Sequence, residues 1–233
     1  MAKKVSFKRN QSLREFQRIN GEIYNENDDR LYSLPDIMAN QLRFTMRAIK
    51  GVRKKNKSRL ENNLLIAFSW LMTLASRLHI DVEDSIWKRF PGYCPYCGGC
   101  PCKCRFRKVK PKKMVRLVRK DSKRPKSLAE FQEMVESIYP QGEKTLIDST
   151  IHLAEEAGEV SEAIQIYYGE HKDSQFKDVA KEIADFACHF FNVASAAGID
   201  IARGLAKQYK NNCHVCHKAP CICKFSYVAK FKS

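Results

Sequence analysis

His152-LAEEAGE-Val160 and Lys181-EIAD-Phe186 carry Glu155, Glu156, Glu159, Glu182 and Asp185 in an EExxE–ExxD arrangement, with 22 residues between Glu159 and Glu182. Spacings of three and four place carboxylates on one face of a helix. Small or apolar residues surround the first set: Leu153, Ala154, Ala157, Val160 and Ala163. A carboxylate stripe beside such a face predicts a close helix crossing rather than a solvated surface. Two helices crossing there would aim four or five carboxylates at one small volume. Like charges that close repel unless a cation lies between them. An all-oxygen ligand set favours a hard divalent ion, and Mg²⁺ is the usual one where phosphates are substrates.

Outward from this stretch the second half of the chain reads as helices. Ser127 and Glu130 have the spacing of a capping box. Phe131, Met134, Val135 and Ile138 follow at helical intervals, and Pro140-Gln-Gly142 ends that helix. The spacing predicts a second helix over 146–168, a polar turn over 169–175 and a third helix over 176–197. Asp200 then caps a shorter helix ending near Tyr209. Strand alternation is absent except for short runs beside the cysteines.

The chain is a duplication. Ser12-LREFQRINGEI-Tyr24 lines up with Ser127-LAEFQEMVESI-Tyr139 at an offset of 115, and seven of the 13 positions are identical. His79-ID-Val82 matches Gly198-ID-Ile201 at an offset of 119. At that same offset Cys94, Cys97, Cys102 and Cys104 match Cys213, Cys216, Cys221 and Cys223. The expected organisation is a helical unit at 1–92, a cysteine knuckle at 93–105, a basic linker at 106–126, a second helical unit at 127–211, a second knuckle at 212–225 and a basic tail at 226–233. The first copy lacks the acidic set. Asn40, Gln41 and Phe44 stand for the three glutamates, and Asn63 and Ile66 for Glu182 and Asp185. Such side chains cannot replace carboxylates around Mg²⁺, so the first unit reads as a degenerate copy kept for packing, for binding or as a dimer partner.

Each knuckle is CxxC followed by CxC, and eight of the ten cysteines fall in the two. Clustered pairs without a secretory leader point to metal rather than disulfides. Four thiolates on two tight turns suit tetrahedral Zn²⁺ in a closed, structural site, and an iron–sulfur cluster is the other possibility. Cys100, His214 and His217 are spare ligands, and Cys188 reads as core.

Net charge is +16, divided as +20 over residues 1–127 and −4 over 128–233. Lys and Arg fill 12 of the 23 positions from Cys104 to Lys126. A tether or a nucleic-acid-binding arm both fit that composition. The N-terminal residues have no apolar leader, and the apolar run Leu64–Ser76 is too short to span a bilayer, which predicts a cytoplasmic protein. No motif for transport, membrane insertion or nucleophilic Ser or Cys catalysis is present.

From Ser127 to Tyr209 the pattern resembles the MazG-type all-α nucleoside triphosphate pyrophosphohydrolases, relatives of dimeric dUTPases and dCTP pyrophosphatases. The resemblance includes Ala180-KEIADFACHFFNVASAAGID-Ile201, in which Asn192 follows Asp185 by seven. It implies an all-α fold of two tandem units and Mg²⁺-dependent release of pyrophosphate and a nucleoside monophosphate. It implies that Glu156, Glu159, Glu182 and Asp185 hold the metal. Glu155 would support a second metal or orient the attacking water, and Asn192 would donate to a phosphate or ribose oxygen. Lys181 would meet phosphate unless it faces solvent. Phe131 and Tyr139 would stack on the base unless they are core, His152 would touch a phosphate unless it is structural, and His189 is second to the ligands or core. Family members are dimers or larger, which implies a homo-oligomer or an intrachain pseudo-dimer. The cysteine knuckles depart from the family pattern. They and the basic half support a different reading, a zinc protein that binds nucleic acid or senses nucleotides on the same scaffold.

Overall fold

Serine, threonine, asparagine and aspartate side chains set most of the helix starts. In the computed structural model, which describes residues 4–104, 115–140 and 145–231, Ser12 opens α1 (Leu13–Leu31) with a complete capping box to Glu15. Ser33 and Asp36 do the same for α2 (Leu34–Arg53). Asn56 caps α3 (Lys57–Arg77) and Asp81 caps α4 (Val82–Arg89). Satisfying these orphan N–H groups fixes where each helix begins. After a single 3₁₀ turn at Asp121–Lys123 come α5 (Leu128–Ile138), α6 (Leu146–Glu170), α7 (Asp173–Ala196), α8 (Ile201–Gln208) and α9 (Phe225–Lys230).

The predicted helices are present with shifted ends. Ser127 accepts from the Glu130 N–H, but the Glu130 carboxylate accepts from Lys126 N at 2.7 Å, one residue outside the expected box. α7 starts at Asp173 rather than 176 because the Gln175 side chain accepts the Lys172 N–H and closes the turn early. The runs beside the cysteines are turns, and no strand occurs among the described residues. No described helix is by itself long and apolar enough to cross a membrane. Residues 106–114 of the basic linker, with residue 105 before them, lie outside the described residues.

The internal repeat is visible residue by residue. An offset of 119 carries α4 onto α8 end to end. His79 and Gly198 share the left-handed conformation, φ 56° and 61°. Gln17 donates to Ile80 O and accepts from Val82 N, and Gln132 donates to Ile199 O and accepts from Ile201 N. In each case one amide ties the first helix of a half to the turn that starts its last helix.

The halves interlock. α2 packs along α3 and α6 along α7, but α4 also lies on α7 and α8 on α3. At the latter crossing a Cβ on Gly204 would stand 2.7 Å from Leu65 Cδ1, so any larger residue there would force the Leu65 side chain to move. Phe68 of α3 meets Phe190 and Phe191 of α7 with ring centroids 5.5 and 5.8 Å apart. The cysteine segments cross over as well. Cys102 N donates to Ile138 O at the end of α5, and Cys221 N donates to Ile23 O in α1. Each half is thus closed by the other half's knuckle. Phe7 N to Tyr209 O and Val5 N to Asn212 Oδ1 tie the segment before α1 to the second knuckle.

Candidate metal and active site

Glu156 projects from α6, and Glu182 and Asp185 from α7, where the two helices pack together. One carboxylate oxygen from each lies within 4.8 Å of the others. Spacing of three brings Glu182 and Asp185 to one face, and the small residues Ala157 and Ala184 beside the trio are both buried. The trio opens into a pocket of about 410 Å³ whose lining also includes Glu159, Lys181, Asn192, His152 and His189. Its lining is also aromatic, from three parts of the chain: Phe90 after α4, Tyr96 in the first knuckle and Tyr139 after α5. The knuckle cysteines Cys94, Cys102 and Cys104 line the same pocket.

Burial and like charge dominate the electrostatics of the trio. Burial, then the neighbouring Asp185, Glu159 and Glu182, push the Glu156 carboxyl up to about 8. Its Oε2 is buried with no hydrogen-bond partner, as is Oδ1 of Asn192. An ionised carboxylate there would leave Oε2 without a partner, which a hard cation could supply. The other two carboxylates already have cations. Lys181 Nζ lies 2.7 Å from Glu182. Arg89, at the end of α4 in the first half, grips Asp185 through two 2.8 Å bonds, with side chains only 5% and 13% exposed. Burial still lifts the Asp185 carboxyl above the usual range, against the Arg89 bridge.

Two expected residues fall elsewhere. Glu155 is exposed, pairs with His152 at 2.9 Å and does not line the pocket. One residue of helix turns it about 100° away from Glu156. Phe131 has no exposed surface and belongs to the core on the inner face of α5, so it cannot stack on a ligand in this pocket. Tyr139 does line it, edge-on to Phe90. Glu159 lines the pocket outside the carboxylate trio. Lys181 reaches the pocket through its bond to Glu182, and His189 stacks on His152 with its Nδ1 3.6 Å from Glu156. Arg89, Phe90 and Tyr96 had no signal in their own neighbourhood. The internal repeat held a hint: Arg89 stands where the other copy has Gln208, whose facing position is Ile66 rather than an aspartate.

The two cysteine groups are built for a tetrahedral ion. Four ligands at about 2.3 Å place their sulfurs about 3.8 Å apart. Cys97–Cys102 and Cys216–Cys221 are both 3.8 Å, and Cys94–Cys104 and Cys213–Cys221 both 3.6 Å. Backbone N–H groups of Lys103, Cys104, Val215 and Cys223 point at sulfurs, an arrangement that favours thiolates. Each group has one depressed thiol. The hydrogen bond from Cys221 lowers Cys213, while at Cys97 backbone N–H groups of Lys103 and Gly99 overcome burial. Both groups can therefore hold zinc. Cys100 is exposed and donates to Ser137 O, and His214 is half-buried with its Nδ1 3.1 Å from the Tyr24 hydroxyl, so each already has a partner outside the cysteine groups.

In the first half the corresponding cavity is closed. Asn20, Ser69 and Thr73 form a buried hydrogen-bonded set there. Phe231, just after α9, packs on Phe44 at the position equivalent to Glu159. Arg43 and Arg47 hold the α9 segment by donating to the carbonyls of Val228, Ala229 and Phe231. About 70 Å³ of apolar space is left.

No protein-family model matches this chain, and no curated protein or solved structure matches it. The functional reading rests on the geometry of the pocket.

Proposed function

We propose that the second half is a Mg²⁺-dependent nucleoside triphosphate pyrophosphohydrolase of MazG type, one of two tandem units of that kind, with zinc in both knuckles. The observation that carries this reading is the convergence of Glu156, Glu182 and Asp185 beside aromatic side chains in one pocket, with Glu156 Oε2 buried and without a hydrogen-bond partner. The trio would hold Mg²⁺, which when bound supplies positive charge against the triphosphate oxygens. Glu159, in the pocket but outside the trio, takes the part expected of Glu155 and orients the attacking water. Asn192 and Lys181 are placed to meet ribose or phosphate oxygens. Tyr139 and Phe90 give the base an apolar surface. The products are a nucleoside monophosphate and pyrophosphate.

The test is pyrophosphate release from ribo-, deoxy- and modified triphosphates with Mg²⁺. Glu182→Gln should lower release by about a hundredfold or more with the fold intact, because it removes a metal carboxylate, whereas Glu155→Gln should change it by less than about threefold. No release from the zinc-loaded wild type would overturn the reading. The second reading, a nucleic-acid-binding zinc protein, draws on the exposed basic run Arg53, Lys54, Lys55 and Lys57 between α2 and α3. It requires binding to single-stranded nucleic acid that weakens steeply with salt.

A further inference from the structure

Arg89 belongs to the degenerate half, yet its guanidinium is held by groups that line the acidic pocket. Asp185 takes both arms of the fork. The Tyr96 hydroxyl lies 3.3 Å from Nη2, and the rings of Tyr96 and Phe90 lie under the cation at 5.4 and 5.7 Å. A bidentate arginine stacked between aromatic rings is preorganised for a planar or tetrahedral oxyanion. The pairing is specific to this side of the molecule. In the pseudo-equivalent crossing the arginine position is Gln208 and the aspartate position is Ile66. Both members of the pair are present where the carboxylates are, and both are replaced where they are not.

The balance of charge in the pocket defines a role for the pair. Arg89 and Lys181 already pair with two carboxylates of the trio, so a lone divalent ion competes with both of them for Asp185 and Glu182. An ion that arrives with a triphosphate offers both cations a new anionic partner. Resting on the proposed function above, we propose that Arg89 is the phosphate-binding residue of the site: it covers Asp185 until a metal–triphosphate enters, then yields that carboxylate to the ion and turns its fork to the phosphate chain. The first half is thereby a working part of the site, contributing its recognition cation across the interface between the halves.

Inorganic tripolyphosphate tests this without assuming a base, with Mn²⁺ binding followed by electron paramagnetic resonance on the zinc-loaded full chain. In the wild type, tripolyphosphate should tighten Mn²⁺ binding tenfold or more. In Arg89→Gln, Mn²⁺ alone should bind about tenfold tighter, because Asp185 is released, while tripolyphosphate affinity falls at least tenfold. Arg89→Lys should lie between, since it keeps the charge and loses the fork. Wild-type-like Mn²⁺ and tripolyphosphate binding in both variants would overturn the assignment and leave the hydrolase reading standing. If Arg89→Gln does not fold, independent binding of the two ligands by the wild type is enough to overturn it. A wild type that binds neither, with Glu182→Gln indistinguishable from it, would sink the hydrolase reading and this inference together.

Discussion

Asp28 is a carboxyl buried near the C-terminal end of α1, 3.4 Å from the Thr73 hydroxyl. Burial raises it to about 7, against the Thr73 bond and the nearby Arg77 charge. A raised carboxyl favours the protonated folded form. Its contribution to stability is therefore full below about 4 and is lost as pH rises through about 7. A tenfold change in proton affinity corresponds to about 1.4 kcal/mol, so the swing is a few kcal/mol. Asp28→Asn should flatten the fall of Tm between pH 4 and 8 and raise Tm at pH 8, as thermal melts followed by circular dichroism will show. An unchanged slope in the variant would place the proton elsewhere. At this scale the sequence was a partial guide. Spacing brought Glu156, Glu182 and Asp185 to one point because helix periodicity is local. It misplaced Glu155, one position from Glu156, since only crossing geometry decides which of two adjacent residues faces inward. Arg89 was illegible for a different reason: 96 residues separate it from Asp185, and the contact exists only once the halves are docked.

The knuckles illustrate what an element can hide. Their thiol spacing announced metal sites, and nothing in that spacing says which helices they brace. The crossing of Cys102 onto Ile138 and of Cys221 onto Ile23 makes a testable exchange. Cys94→Ser should loosen the end of α5 and the acidic pocket, in the half that does not contain the mutation. Cys213→Ser should loosen α1 and leave the pocket protected. Hydrogen exchange of peptides over 128–140 and 13–31 reads this directly, with a protection loss of at least about tenfold on the crossed side. Loss on the same side instead would mean that the knuckles brace their own halves. Helix starts were legible because capping residues act within one turn. The extension of α7 back to Asp173 was not, because the glutamine that closes it sits in a segment whose composition reads as turn.

For the whole molecule, the exchange of α4, α8 and both knuckles joins two repeats into one cooperative body. Phe68, Phe190 and Phe191 lie in a core that belongs to neither half alone. Calorimetry should give one transition whose calorimetric and van't Hoff enthalpies agree, where two independent repeats would give two. The duplication was readable from matching residues, but offsets in a sequence carry no information about which copy a segment docks on. The same interlocking constrains how the molecule is made. The pocket of the first half is sealed by Tyr209, Cys221 and the α9 segment, all encoded more than a hundred residues after α3. At roughly 5–20 residues per second a ribosome needs several seconds to cover that distance. Throughout that interval the nascent first half is a hydrophobic cup without its lid, a natural client for chaperones.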